Sequence, residues 1–234
     1  MRLNKYLAKC GIGSRRQCDV YIEKGKIKIN GIITKDYSYK VKPDDYIQYN
    51  NQLLELISSA SYILYKPKGY ICSRQDNSNR KIIYNLLPEN NNLFSVGRLD
   101  YNTTGIILLT NNGELCYKLS HPKFNIKKKY YVSTDKKLSN KNLTKIKNGI
   151  IIDDNVKVNA SISFLGVKNK INIWNVVLTE GKNREIKKIF NYFSIKVIRL
   201  HRYEFAGFNL DGISEGKYRK IGLQEIQKLD VYFK

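Results

Sequence analysis

Residues 96–115 read VGRLDYNTTGIILLTNNGEL, and this stretch constrains the fold more than any other. An unbroken apolar run, Ile106 to Leu109, follows directly on Arg98, Asp100, Tyr101 and a pair of threonines, with glycines at 97, 105 and 113. A short apolar run bounded by turn-forming residues predicts a core strand. A polar turn therefore feeds straight into the core, and it carries both an arginine and a carboxylate. An aspartate in such a place is ordinarily a turn former, so the rest of the chain must decide whether Asp100 does more.

The chain has 234 residues, enough for one large domain or for a small domain and a medium one. No window approaches the apolar length that crosses a bilayer, and the first residues, MRLNKYLAKCG, lack an apolar signal core. The expectation is a soluble, cytoplasmic protein that starts directly in a folded element. Cys10, Cys18, Cys72 and Cys116 form neither a CxxC pair nor a disulfide framework, and only His121 and His201 could join them as ligands. Reduced thiols and no metal site are expected. Lys and Arg total 42 against 20 acids, a net charge of +22. Such an excess suits a polyanion whose counterions are released on binding. Nucleic acid is favoured over an anionic membrane, because no basic amphipathic helix stands out. Abundant Lys, Asn, Ile and Tyr suggest an AT-rich coding bias, which explains Lys over Arg but not the scarcity of acids.

The first fifty residues organise clearly. Leu3, Tyr6, Leu7 and Cys10 recur at helical spacing, with Gly11 as a stop. SRRQ at 14–17 has the pattern of a capping box opening a second helix that ends near Gly25. KIKINGII reads as a hairpin turning at Asn30-Gly31, and YIQY as a further short strand. Residues 50–61 read as an exit strand and short linker, giving expected domains of 1–58 and 59–234. This first segment carries 11 basic and 5 acidic residues over positions 1–50. Lys5, Lys9, Arg15, Arg16, Lys24, Lys26 and Lys28 all fall in its helical half and are candidate phosphate contacts. The segment resembles the S4 RNA-binding domain through RL.K.L, G..SRR and the later I..G.I.ING. That resemblance implies docking on structured RNA by shape and phosphates.

From Tyr62 onward strands and helices alternate. YILYKPKGYIC is a strand broken by Pro67 and Gly69, and RKIIYNLLP a short helical patch. GELCYKLSHP is a helix, KKYYVST a strand, and LSNKNLTKIKNGI a Ser-capped helix closed by Gly149. Val156 to Leu178 alternates as strands with Trp174 inward, and GKNREIKKIFNYF is a helix starting near Asn183, with Ile186, Ile189, Phe190 and Phe193 on one face. The fold class is α+β: a small domain of two helices and a hairpin, then a mixed, largely antiparallel sheet flanked by helices.

Three stretches carry chemical potential: GRLDYNTTG with its carboxylate, KKKYYV at 127–132 with an aromatic behind three lysines, and LTEGKNREIKKIF at 178–190 with a cation on a helix. Taken singly, each has an ordinary reading as turn aspartate, core tyrosine or solvated helix face. In this order they resemble the pseudouridine synthases, and specifically the RsuA/RluB branch acting on ribosomal RNA; the resemblance covers nearly the whole chain. It implies that Asp100 is the catalytic aspartate and that Arg98, Tyr130, Ile186 and Lys187 bind substrate. Lys stands at 182 and 187 where that family more often has Arg, and lysine cannot grip a carboxylate bidentately.

The implied activity is conversion of uridine to pseudouridine, an isomerisation that needs no cofactor. A carboxylate at C1′ suits it, as in glycoside hydrolysis. Lys187 is expected beside Asp100, keeping it ionised. The tail motifs favour 23S rRNA over 16S rRNA, and the alternative from another class is a non-catalytic S4-type ribosome-assembly protein. Ribosomal RNA or a pre-ribosomal particle is the expected partner, with no membrane and no protein partner implied, the chain being expected as a monomer.

Overall fold

The structure is a computed structural model that describes residues 1–88, 92–152 and 155–233. The chain divides into two compact units, Met1–Ser59 and Ala60–Lys234.

In the first unit, α1 (Leu3–Lys9) and α2 (Arg15–Glu23) precede four short strands: β1 (Ile27–Ile29), β2 (Ile32–Ile33), β3 (Ile47–Tyr49) and β4 (Gln52–Leu53), ordered β2-β1-β3-β4. The capping box forms as the sequence suggests: Gln17 N–H donates to Ser14 Oγ, and Ser14 N–H donates back to Gln17 Oε1 over 2.8 Å. Asn30 and Gly31 both have positive φ, 52° and 83°, which a tight hairpin between right-twisted strands requires. Leu3, Leu7, Cys18, Ile22, Ile27 and Ile47 close this small core completely. All four cysteines of the chain are free thiols.

The second unit contains β5 (Ser61–Lys66), β6 (Phe94–Ser95), β7 (Thr104–Thr110), α3 (Gly113–Ser120), β8 (Lys128–Thr134), α4 (Asn140–Asn148), β9 (Ile150–Ile152), β10 (Val156–Val158), β11 (Ser161–Lys168), β12 (Ile171–Leu178), α5 (Glu185–Tyr192), β13 (Val197–Phe205), β14 (Tyr218–Lys220) and α6 (Leu223–Gln227). Its main sheet runs β11-β12-β8-β13-β7-β5-β14, with β6 alongside β7. Of its pairings only β7–β13 is parallel. Strand β7 is buried at every position. Ile106 and Leu108 join the cluster of Leu115, Leu119 and Phe205, while Ile107 and Leu109 join that of Trp174, Ile189 and Phe190. Burial on both faces is why its apolar run does not alternate. Each of these side chains contributes roughly 1.5–3 kcal/mol by leaving water.

Gly105 shows what the motif's glycine is for. It has φ +117°, and a Cβ there would sit 2.1 Å from the carbonyl oxygen of Arg202, its partner in the parallel pairing. Only glycine lets β7 and β13 approach so closely.

Three sequence readings are refined. The RKIIYNLLP patch is a single 3₁₀ turn, Ile83–Leu86, because Pro88 leaves no room for a longer helix. Helix α5 starts at Glu185 rather than near Asn183, because Arg184 takes a left-handed conformation, φ 51°. Strand β13, VIRLHRYEF, has no clear strand pattern in its sequence. Register shifts at Val197/Arg199 and Arg202/Glu204 break the simple alternation by which strands are recognised.

Candidate active site

The turn that carries Asp100 is clamped from β5. Thr103 N–H donates to the Asp100 carbonyl over 3.0 Å, and Gly69 N–H donates to the Tyr101 carbonyl over 2.9 Å. Lys66, fully buried at the end of β5, points its ammonium into the same turn. Its Nζ donates to the carbonyls of Thr103 (2.9 Å) and Pro67 (3.0 Å), with that of Tyr101 at 3.5 Å. Cys72 Sγ adds two contacts at 3.4 Å to the backbone of Leu99. A charge held by carbonyls in a dry site both satisfies itself and fixes the loop. Burial pulls the Lys66 ammonium down to about 8.

Helix α5 supplies the partner. Lys187 Nζ lies 2.8 Å from Asp100 Oδ2, with the aspartate side chain 36% exposed and the lysine 23%. The left-handed Arg184 sets the direction in which α5 leaves the EGKN loop, and that direction brings Lys187 to the aspartate while Ile186, Ile189 and Phe190 face the core. A non-glycine residue held in that region marks a backbone fixed by its surroundings.

Asp100 stands where two concavities meet. The inner one, about 260 Å³, is lined by Asp100, Tyr130 and Ile186 among others. The outer one, about 920 Å³, is a groove in which Arg80, Arg98, Lys182, Arg184 and Lys187 outnumber Asp76 and Asp100. Tyr130 is 7% exposed on β8, where it pairs with Val176 and Arg202 on the flanking strands. Thus Asp100, Tyr130, Ile186 and Lys187, spread over nearly ninety positions, come together, and exposed Arg98 lines both concavities. Among the described residues no group of three His, Cys, Asp or Glu could hold a metal ion.

Residues 61–192 match the RNA pseudouridylate synthase family, and residues 1–47 match the S4 domain. The chain belongs to the RNA pseudouridine synthases. It is 34% identical over 233 residues to the ribosomal large subunit pseudouridine synthase B of Bacillus subtilis (strain 168), a match covering 97% of this chain and 95% of that protein. The protein of the same name from Escherichia coli (strain K12) is 32% identical, over 97% of this chain and 81% of its own. A crystal structure of a pseudouridylate synthase superposes with a TM-score of 0.68 at 29% identity, covering 98% of this chain and 99% of that one.

The synthase fold gives the three lysines before Tyr130 three different fates. Lys127 is exposed. Lys129 pairs with Glu204 at 2.8 Å. Lys128 is buried, donating to the carbonyls of Ile126 (2.9 Å) and Thr179 (3.1 Å), and burial pulls it down to about 8. Sequence reasoning missed Lys128, Glu185 and Arg202, which line the inner cavity, and Lys66, which holds the turn that carries Asp100. Glu185 Oε2 accepts from Lys182 N–H over 2.9 Å, and burial pushes its carboxyl up. Arg202 Nε donates to the Ile106 carbonyl over 2.8 Å, its guanidinium lying over the Phe205 ring. Lys182 pairs with Glu180 at 3.0 Å. The one available signal was Lys66, a lysine that ends an otherwise apolar strand just before Pro67.

In the S4 unit, Lys9, Arg15, Arg16, Lys24 and Lys26 are exposed, and Lys5 and Lys28 half-buried. Among the described residues none of the seven forms an ion pair. Likewise no described helix is long and apolar enough to cross a membrane.

Proposed function

We propose that this pseudouridine synthase acts on the ribosomal RNA of the large subunit, 23S rRNA, in the cytoplasm and as a monomer. The observation that carries this reading is the Asp100–Lys187 pair at the junction of a cavity of about 260 Å³ and a basic groove. The names of the relatives from Bacillus subtilis and Escherichia coli support the large-subunit substrate. The seven basic residues of the S4 segment would contact phosphates, with domain limits at 1–58 and 59–234.

In this reading the target nucleotide leaves its stack, at a cost of a few kcal/mol, and its base enters the inner cavity. Tyr130 packs on the uracil, offsetting about 1–3 kcal/mol of that cost, and Ile186 closes the apolar side. Asp100 faces C1′, as nucleophile or as the anion that stabilises positive charge while the N1–C1′ bond breaks. Lys187 orients that carboxylate. The uracil turns, C5 bonds to C1′, the C5 proton departs and N1 gains one, so no atom or electron is gained or lost overall. Arg98 holds the displaced backbone at the groove. The test is to map pseudouridines in 23S and 16S rRNA from cells with and without the gene. Loss of one site in 23S rRNA is expected; unchanged maps would overturn the reading.

A further inference from the structure

Among the described residues, four buried side-chain polar atoms have no hydrogen-bond partner, and three of them belong to residues lining the inner cavity beside Asp100: Thr103 Oγ1, Glu185 Oε1 and Arg202 Nη2. These residues are only 2%, 3% and 2% exposed. Each otherwise has a secure place in the fold: Glu185 caps the loop at Lys182, and Arg202 ties β13 to β7 through Ile106. A buried polar atom left unpaired costs about 1–3 kcal/mol. Three such atoms, all on residues that line one small cavity, leave polar capacity unused beside it.

Their chemical types fit one edge of one base. Arg202 Nη2 can only donate and the Thr103 hydroxyl can donate, while Glu185 Oε1 accepts as the anion that the Lys182 N–H and the Lys182 and Lys128 charges favour against burial. The Watson–Crick edge of uracil reads acceptor, donor, acceptor: the C2 carbonyl, N3–H and the C4 carbonyl. The isomerisation adds a second requirement. To exchange N1 for C5 at C1′, the base makes a half-turn about the line through N3 and C6. That operation swaps the C2 and C4 carbonyls and leaves N3–H in place. A donor, an acceptor and a donor, with the acceptor on the axis, therefore satisfy the base equally before and after it turns.

We propose that Thr103, Glu185 and Arg202 hold the Watson–Crick edge of the target uracil, Glu185 at N3–H and the other two at the carbonyls, so that the detached base keeps its partners through its half-turn. The set also selects against cytosine, whose N3 accepts and whose C4 amino group donates. This inference rests on the cavity taking the flipped uracil, as proposed above.

The test uses the full chain and substrate RNA carrying uridine or N3-methyluridine at the mapped position. Isomerisation of the uridine RNA by the wild type establishes the activity itself; its absence would count against the function proposed above. Given that activity, the wild type should reject N3-methyluridine, and Glu185→Ala should narrow the preference for uridine by about tenfold, one hydrogen bond's worth. Thr103→Val should lower the single-turnover rate at saturating RNA by about tenfold without changing RNA affinity, while Tm rises as an unpaired buried hydroxyl is removed, and Thr103→Ser should restore the rate. The proposal is overturned if N3-methyluridine reacts as fast as uridine in the wild type. It is equally overturned if folded Thr103→Val keeps the wild-type rate, as it would were these atoms satisfied by water alone.

Discussion

Lys187 Nζ donates to Asp100 Oδ2 over 2.8 Å, joining residues 87 positions apart. The pair is partly exposed, so its worth lies more in aiming the carboxylate than in stability. Lys187→Met keeps the apolar stem and removes the charge. Single-turnover rates should fall roughly 10- to 100-fold, the range of one charge-assisted hydrogen bond, with Tm nearly unchanged. Lys187→Arg should retain most activity, since the planar guanidinium also reaches a carboxylate. Normal rates in the Met variant would return Lys187 to the status of a solvated helix residue.

Asp100→Asn changes almost nothing in shape and leaves no anion. The rate should drop below about a hundredth of wild type, the scale set by losing a reacting group, while RNA affinity and Tm stay near wild type. Single-turnover assays with filter binding check both halves.

At position 130 the ring and the hydroxyl can be separated. Tyr130→Phe keeps the ring against the base and should bind substrate RNA nearly as well as wild type. Tyr130→Leu removes stacking worth about 1–3 kcal/mol and should bind more weakly. If both variants bind well but fail in turnover, the hydroxyl takes part in proton transfer; if both are fully active, Tyr130 has no role at the site.

Every residue of the site comes from the unit Ala60–Lys234. Deleting residues 1–58 should therefore weaken RNA binding and flatten the log-log salt dependence, by about 0.7–0.9 for each phosphate no longer neutralised, while the remaining chain keeps its fold by circular dichroism. An unchanged slope would mean that the S4 segment is no anchor.

Lys66 gives a pH signature. Burial brings its ammonium down to about 8 from the usual 10.5. Between those values the unfolded chain binds more protons than the folded one, so the stability due to Lys66 rises with pH across that window and is flat below it. Lys66→Met lacks this gain. The Tm difference between wild type and Lys66→Met should move in favour of wild type from pH 7 to about 9.5; a constant difference would place Lys66 in solvent.

What the sequence determined by itself was local or patterned. The Ser14–Gln17 capping box, the Asn30-Gly31 hairpin, the Ser139-capped helix and the core strand Ile106–Leu109 all rest on residues within a few positions of one another. Short-range sterics and periodicity act before any tertiary contact forms, so such elements are legible in the chain. The motif around Asp100 was equally legible, together with the resemblance that it carries. Only the tertiary structure decided which charged residues meet. Lys127, Lys128 and Lys129 are chemically identical neighbours, yet one is solvated, one buried among carbonyls and one paired with Glu204. Strand alternation turns Lys128 inward, but one of the two carbonyls that receive it comes from Thr179, 51 positions away. Lys66 and Arg202 follow the same rule, received by the distant carbonyls of Thr103 and Ile106. The free energy of a buried charge or polar atom depends on partners and desolvation, which exist only once distant strands and helices have closed around it.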